Sequence, residues 1–230
     1  MTIYPPTRFV LKPSASRTSI TFSRISSIRP AFSNEAFNEA FKEVGLDWYW
    51  NETEYKNLLQ KSGGTKRIEG FAQKNNSTVD ASKIRLRKTE IFNKYLIEEN
   101  FEPREGVLDI INYAKQYKLK LGFVTSTTTN NINAVFFALK NFIQKSDFDF
   151  IGNNNLINKP KPDSEIYYKA LEILSLEASE CIAIEDTEES VKSSLDAQIK
   201  CIGFPGNFHV NDSFDKCKMK VNKLDISILN

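Results

Sequence analysis

The spacing of apolar residues divides the chain into two kinds of stretch. From Asn34 to about Asn100 they recur at helical intervals. Phe37 and Phe41 lie one helical turn apart and are followed by Gly45, a residue that ends helices readily. Trp48-Tyr49-Trp50 forms an aromatic knot before a second helix, predicted over 52–61. Ser62-Gly63-Gly64 breaks the chain, Thr65 is placed to cap a third helix, and Asn75-Asn76-Ser77 breaks it again. A long fourth helix carries Ile84, Ile91, Phe92 and Tyr95 on one face of a 3.6-residue period. Lys83, Arg85, Arg87 and Lys88 are assigned to its opposite, solvated side. Such a run predicts a small helical bundle.

After Pro103 the pattern alternates between helix and strand. Val107, Ile110, Ile111 and Ala114 mark a helix, 119–125 a strand, 131–139 a helix and 148–151 a short strand. Ile166, Ala170, Ile173 and Leu174 mark a further helix. Cys181-Ile182-Ala183-Ile184 then runs apolar without a break, as a strand buried on both faces does, and meets Glu185-Asp186-Thr187. A helix over 188–196 and a last strand over 200–204 follow. This order predicts an α/β fold, a doubly wound parallel sheet with helices on both faces.

Strand ends carry the candidate chemistry. In an open parallel sheet, ligands bind at the carboxyl edge. Glu185 and Asp186 fall there, and paired carboxylates suit a hard cation such as Mg²⁺ that keeps room for phosphate. Thr125-Ser126 offers hydroxyls and backbone N–H groups before a helix, which is an anion cradle. Lys159-Pro160-Lys161-Pro162-Asp163 sets a lysine rigidly before another helix. Hydroxyl, lysine and two acids at successive strand ends amount to a phosphate-and-Mg²⁺ site.

Composition narrows the class. The 230 residues are 40% hydrophobic with a formal net charge of +2, which fits a globular chain and not a dedicated nucleic-acid binder. No stretch approaches the roughly 18 apolar residues of a membrane span. The cysteines Cys181, Cys201 and Cys217 are widely spaced and unpaired by motif, so they read as reduced thiols of an intracellular protein, the first two in the core. His209 lies in a Gly/Pro/Asn-rich loop and reads as surface. Residues 1–33 stand apart, with five basic residues and no acid, leaving 26 basic against 29 acidic residues in the remainder. An Arg- and Ser-rich leader of this kind reads as a plastid transit peptide, a disrupted gene start or a plain arm.

The motifs together resemble the haloacid-dehalogenase superfamily of phosphatases, in the CbbY-like branch near β-phosphoglucomutase. LGFVTSTTTNNINAVF resembles that superfamily's second motif, KPKPDSEIYYKAL its third and CIAIEDTEESVKSSLDA its fourth. AFNEAFKEVGLDWYW, GGTKRIEGF and RKTEIF resemble the helical cap of the branch. The resemblance implies a Rossmann-like core over 101–230 and an inserted helical cap over 34–100. It implies a Mg²⁺-dependent phosphatase acting in the cytoplasm, as a monomer, on a small phosphorylated sugar, similar to enzymes that clear inhibitory pentulose bisphosphates made by Rubisco. A phosphomutase of the same branch is the rival activity.

Carried onto this sequence, the resemblance has Thr125 and the Ser126 amide bind the phosphoryl group. Lys161 would neutralise its charge, with Lys159 the runner-up, and Glu185 and Asp186 would hold Mg²⁺. Gly63, Gly64, Thr65, Lys66 and Arg67 would reach the substrate from the cap. One departure is severe. The superfamily's first motif, Asp-x-Asp-Gly-Thr, supplies the nucleophile and the general acid/base. Residues 1–33 contain no Asp, and the corresponding positions fall near Thr21 and Ser23. Asp147-Phe148-Asp149 has the right spelling in the wrong segment and reads as coincidence. The departure admits a second reading, a sugar-phosphate binder without catalysis, in which 1–33 replaces the first strand and nucleophile loop badly.

Overall fold

The computed structural model describes residues 19–22, 31–59, 63–98, 101–206, 209–210 and 212–229. The core is a six-stranded sheet of order β3-β2-β1-β4-β5-β6. Its strands are β1 (Ser19–Phe22), β2 (Lys120–Phe123), β3 (Phe150–Ile151), β4 (Cys181–Glu185), β5 (Lys200–Gly203) and β6 (Met219–Lys220). Every pairing is parallel. This is the predicted α/β sheet, with one short edge strand, β6, that periodicity did not reveal.

Four residues of the N-terminal segment lie inside the sheet. Ser19–Phe22 is a central strand, paired with β2 on one side and β4 on the other. Residues 19–21 are buried. Four residues with scattered polarity hold this slot because both neighbours supply ladder partners. Thr21 lies level with Gly122 and Ala183, inside the strand and below its edge. Ser23 lies outside the described residues.

Side chains alternate along the strands into two apolar layers. Ile20, Leu121, Phe123, Ile182, Ile184 and Ile202 face one layer, with α5 (Val107–Tyr117) and α6 (Thr129–Ala138). Cys181, Ala183 and Cys201 face the other, with α7 (Glu165–Leu174) and α8 (Glu188–Asp196). The thiols of Cys181 and Cys201 are core, as expected, and burial pushes the Cys181 thiol up to about 11.

The helical stretch forms α1 (Ala31–Glu43), α2 (Glu52–Leu58), α3 (Gly64–Lys74) and α4 (Ala81–Glu98). Their own core joins Phe37, Phe41, Trp50, Tyr55, Ile68, Ile84 and Ile91. Trp50 seals it, with ring centroids 4.8 Å from Phe37 and 4.7 Å from Phe41. Removing an aromatic ring from such a place costs about 3–5 kcal/mol.

Four local expectations are corrected here. The second helix ends at Leu58, short of the predicted boundary. Tyr49 turns outward, 69% exposed, and takes no part in the aromatic core. Gly63, not Thr65, precedes the third helix, at φ 92 and without a side-chain cap. Lys88 is not solvated: it is 7% exposed. It follows Ile84 by one turn and precedes Ile91 by another, so it stands within the apolar stripe.

Candidate active site

Phe22, the last residue of β1, lies level with Phe123 and Ile184. The next residues on the neighbouring segments are Val124 and Glu185, and Lys161 bridges them. Its Nζ donates to the Val124 carbonyl at 3.0 Å and to Glu185 Oε1 at 3.2 Å. Because β1 runs between β2 and β4, the ammonium spans the sheet edge just beyond Phe22. Glu185 is fully buried, and the Lys161 side chain is 7% exposed. Tyr167 of α7 donates its hydroxyl to the same Oε1. Asp186 lies beside them, 8% exposed.

The turn that presents Lys161 is pinned from three sides. Glu165 accepts from the Asn158 N–H at 3.0 Å and from the Lys159 N–H at 2.8 Å. Those backbone donors hold its carboxyl below the usual range. Asp163 accepts from the Glu165 N–H at 2.9 Å, and buried Ser193 of α8 donates to the Asp163 carbonyl at 2.7 Å. Lys161 is thus aimed inward while Lys159 is exposed. Of the two candidate lysines, Lys161 is the one brought to the acids.

The remaining predicted residues fall around this pair. Thr125 and Ser126 are half-buried in the loop between β2 and α6, and Thr125 Oγ1 accepts from the Thr127 N–H at 3.3 Å. Thr128 caps α6, so this loop ends on a helix N-terminus. Asp147 and Asp149 stand elsewhere. Asp149 binds Lys120 at 2.9 Å and the Leu121 N–H at 2.9 Å, at the amino end of β2. Asp147 binds Lys115. Both serve the opposite edge of the sheet, and their spelling is the coincidence expected. His209 is half-buried, not fully at the surface, and pairs with Asp212 at 2.7 Å.

Among the described residues, no cluster of three or more His, Cys, Asp and Glu side chains could hold a metal. Glu185 and Asp186 form a two-acid donor set. Mg²⁺ is commonly held by one or two carboxylates, with phosphate and water supplying its other ligands, so this pair fits that ion. Glu185 Oε1 accepts from both Lys161 and Tyr167.

A second group of charges lies in the helical unit, and sequence reasoning missed most of it. Lys88 is enclosed by rings, its Nζ 5.1 Å from the Phe37 centroid and 4.3 Å from that of Phe92. Burial first, then the charges of Arg85 and Arg67, push its pKa well below the ordinary lysine value. Burial also lowers both guanidinium groups. Arg67 donates to the Leu58 carbonyl at 2.9 Å and lies over the Tyr55 ring at 5.7 Å. Arg85 bonds to Thr89 and packs against Gly64, where a Cβ would meet its Nε at 2.2 Å. Gly64 therefore makes room for Arg85. Gly63 and Lys66 are exposed, and Thr65 is half-buried. Neither Arg85 nor Lys88 pairs with a carboxylate among the described residues. Glu189, in the first turn of α8 just beyond Asp186, acts electrostatically on Arg67 and so relates the cluster to the strand edge. The signal for Lys88 was present in the sequence: a lysine within the Ile84–Ile91 stripe.

A parallel sheet with a lysine–glutamate pair across its central strands and a second carboxylate alongside defines a class. The family described as haloacid dehalogenase-like hydrolase matches residues 31–204. The chain belongs to that family, and within it to the CbbY-like branch. Protein CbbY of Cereibacter sphaeroides is 31% identical over 182 residues, covering 78% of this chain and 79% of that protein. The plasmid-borne CbbY of Cupriavidus necator is 33% identical over 193 residues, covering 79% and 74%. The crystal structure of CbbY from Rhodobacter sphaeroides in complex with phosphate superposes with a TM-score of 0.79 at 26% identity, covering 90% of this chain and 94% of that one. A variant of the same protein, in complex with xylulose-(1,5)bisphosphate, matches equally well.

Proposed function

We propose that this chain binds a sugar bisphosphate between the strand edge and the Arg67–Arg85–Lys88 cluster, as a Mg²⁺-dependent member of the CbbY-like phosphatases. The carrying observation is the cluster itself. Arg85 and Lys88 are half-buried and buried with no carboxylate partner among the described residues, which is costly, and an anionic ligand relieves that cost. Two anion sites, one on each side, suit a sugar with phosphates at both ends. The CbbY structure with xylulose-(1,5)bisphosphate supports the same substrate class.

In this reading the segment 34–100 acts as a cap over the core of 101–230. Thr125 and the Ser126 N–H orient the phosphoryl group, and Lys161 neutralises its charge. Gly63, Gly64 and Arg67 bring the cap to the second phosphate, alongside Arg85 and Lys88. Mg²⁺ held by Asp186, with Glu185 directly or through water, would supply charge stabilisation to the phosphoryl oxygens.

Catalysis is a separate matter, because 1–33 contains no Asp to accept a phosphoryl group. Asp147 and Asp149 serve the other edge, so neither substitutes. Groups that act as a unit lose most of their effect when one is gone. The chain as written is therefore expected to release phosphate at about 10⁻³ or less of the rate of an intact relative. Phosphate release from sugar bisphosphates, with and without EDTA, measures this. Robust EDTA-sensitive turnover would overturn the non-catalytic reading. Replacing 1–33 with a strand ending in Asp-x-Asp-Gly-Thr should restore turnover. Calorimetry with Mg²⁺ tests binding: a sugar bisphosphate should bind at least tenfold tighter than the monophosphate. Equal affinities would remove the cap cluster from the proposal.

A further inference from the structure

Tyr167 is fully buried, yet its polar end is used. Its hydroxyl donates to Glu185 Oε1, the same oxygen that accepts from Lys161 Nζ at 3.2 Å. Its ring carries the ammonium of Lys161 at 4.9 Å from the centroid. Lys161 spends another proton on the Val124 carbonyl at 3.0 Å. An ammonium has three donors, so one remains for a ligand. One side chain thus touches both halves of the buried ion pair.

We propose that Tyr167 is a positioning residue of the strand-edge site, setting how firmly Glu185 holds Lys161. This rests on the reading of Lys161 as the phosphoryl-binding cation. Left alone in a dry setting, a carboxylate and an ammonium draw each other in strongly. A second donor on Oε1 shares its negative charge and weakens that pull. The ring stops the ammonium from folding back onto α7. Between them they keep one N–H of Lys161 directed at the phosphoryl position. Without the hydroxyl, Lys161 closes on Glu185 and presents less charge to the ligand.

The test is calorimetric titration of the full chain with inorganic phosphate at fixed Mg²⁺. Tyr167→Phe keeps the ring and removes the hydroxyl, and phosphate affinity is expected to fall about tenfold, the scale of one hydrogen bond to a charged group. On a Glu185→Gln background the same change should have no further effect, because the hydroxyl acts through the ionised carboxylate. A purely structural tyrosine would instead lower the unfolding midpoint and leave the phosphate constant unchanged. That result, with wild type binding, overturns the positioning role and leaves the site reading intact. Failure of wild type to bind phosphate with Mg²⁺ overturns the site reading, and the positioning role with it. If Tyr167→Phe does not fold, 3-fluorotyrosine at position 167 alone carries the test. Its more acidic phenol is a stronger donor and should change the phosphate constant at least twofold. An unchanged constant overturns the proposal.

Discussion

The molecule buries charge in two places and treats it in opposite ways. At the strand edge, Lys161 and Glu185 are paired, and Tyr167 and the Val124 carbonyl satisfy further valences. In the helical unit, Lys88 is buried among aromatic rings and Arg85 is half-buried, with no carboxylate against them among the described residues. The Lys161–Glu185 pair is of opposite charges and holds itself together. The second is a concentration of one sign, costly to the fold and therefore suited to a ligand of the opposite sign. A self-sufficient pair is a structural element that also serves chemistry. A like-charged cluster is hard to explain by stability and points to binding.

Breaking the neutral pair is expected to give the largest effect. Lys161→Ala leaves Glu185 buried without its cation, which should cost about 3–5 kcal/mol in urea unfolding. A loss under 1 kcal/mol would mean that the pair is not closed in solution.

The cationic cluster should respond with the opposite sign. Lys88→Met removes a buried lysine that no carboxylate offsets among the described residues, and it is expected to raise the unfolding free energy. The same change should weaken sugar-bisphosphate binding by tenfold or more while sparing the monophosphate. Destabilisation with unchanged binding would erase the contrast between the two regions.

A pH experiment sharpens it. The folded pKa of Lys88 is depressed below the ordinary value of 10.5, so the unfolded chain binds more protons between the two values. Stability contributed by this residue should therefore rise with pH across that window. The slope should be absent in Lys88→Met and reduced when a bisphosphate is bound, because a nearby anion favours the charged form. Unfolding free energies at several pH values check this.

The smallest effects are expected at the far edge and among the thiols. Asp149→Asn breaks an ion pair at the amino end of β2 and should leave phosphate binding unchanged, since it is remote from Lys161. Any large loss there would revive the Asp147/Asp149 pair as chemistry. Cys181, pushed up to about 11 by burial, should react with iodoacetamide at neutral pH far more slowly than Cys217 in the native protein. Comparable rates would show that the β4 layer opens readily.

Much of this was legible without coordinates, because short-range pattern carries it. The unbroken apolar run of 181–184 and its halt at Glu185-Asp186 defined a strand end with acids, and β4 ends on Glu185. The Lys-Pro-Lys-Pro segment announced a rigid lysine, and the helical periods of 34–100 announced a bundle. The sequence also showed that no Asp precedes the first helix. What it left open was decided by distance across the fold. Only the β2-β1-β4 order places Val124 and Glu185 on either side of β1 and gives Lys161, not Lys159, something to bridge. Only the neighbours on both sides make Ser19–Phe22 a central strand, since four mixed residues have no pattern of their own. Lys88 reads as a solvated charge in sequence, because lysine is rarely buried. Packing of α4 onto α1 encloses it between Phe37 and Phe92, and that enclosure turns a surface residue into a candidate ligand for a second phosphate.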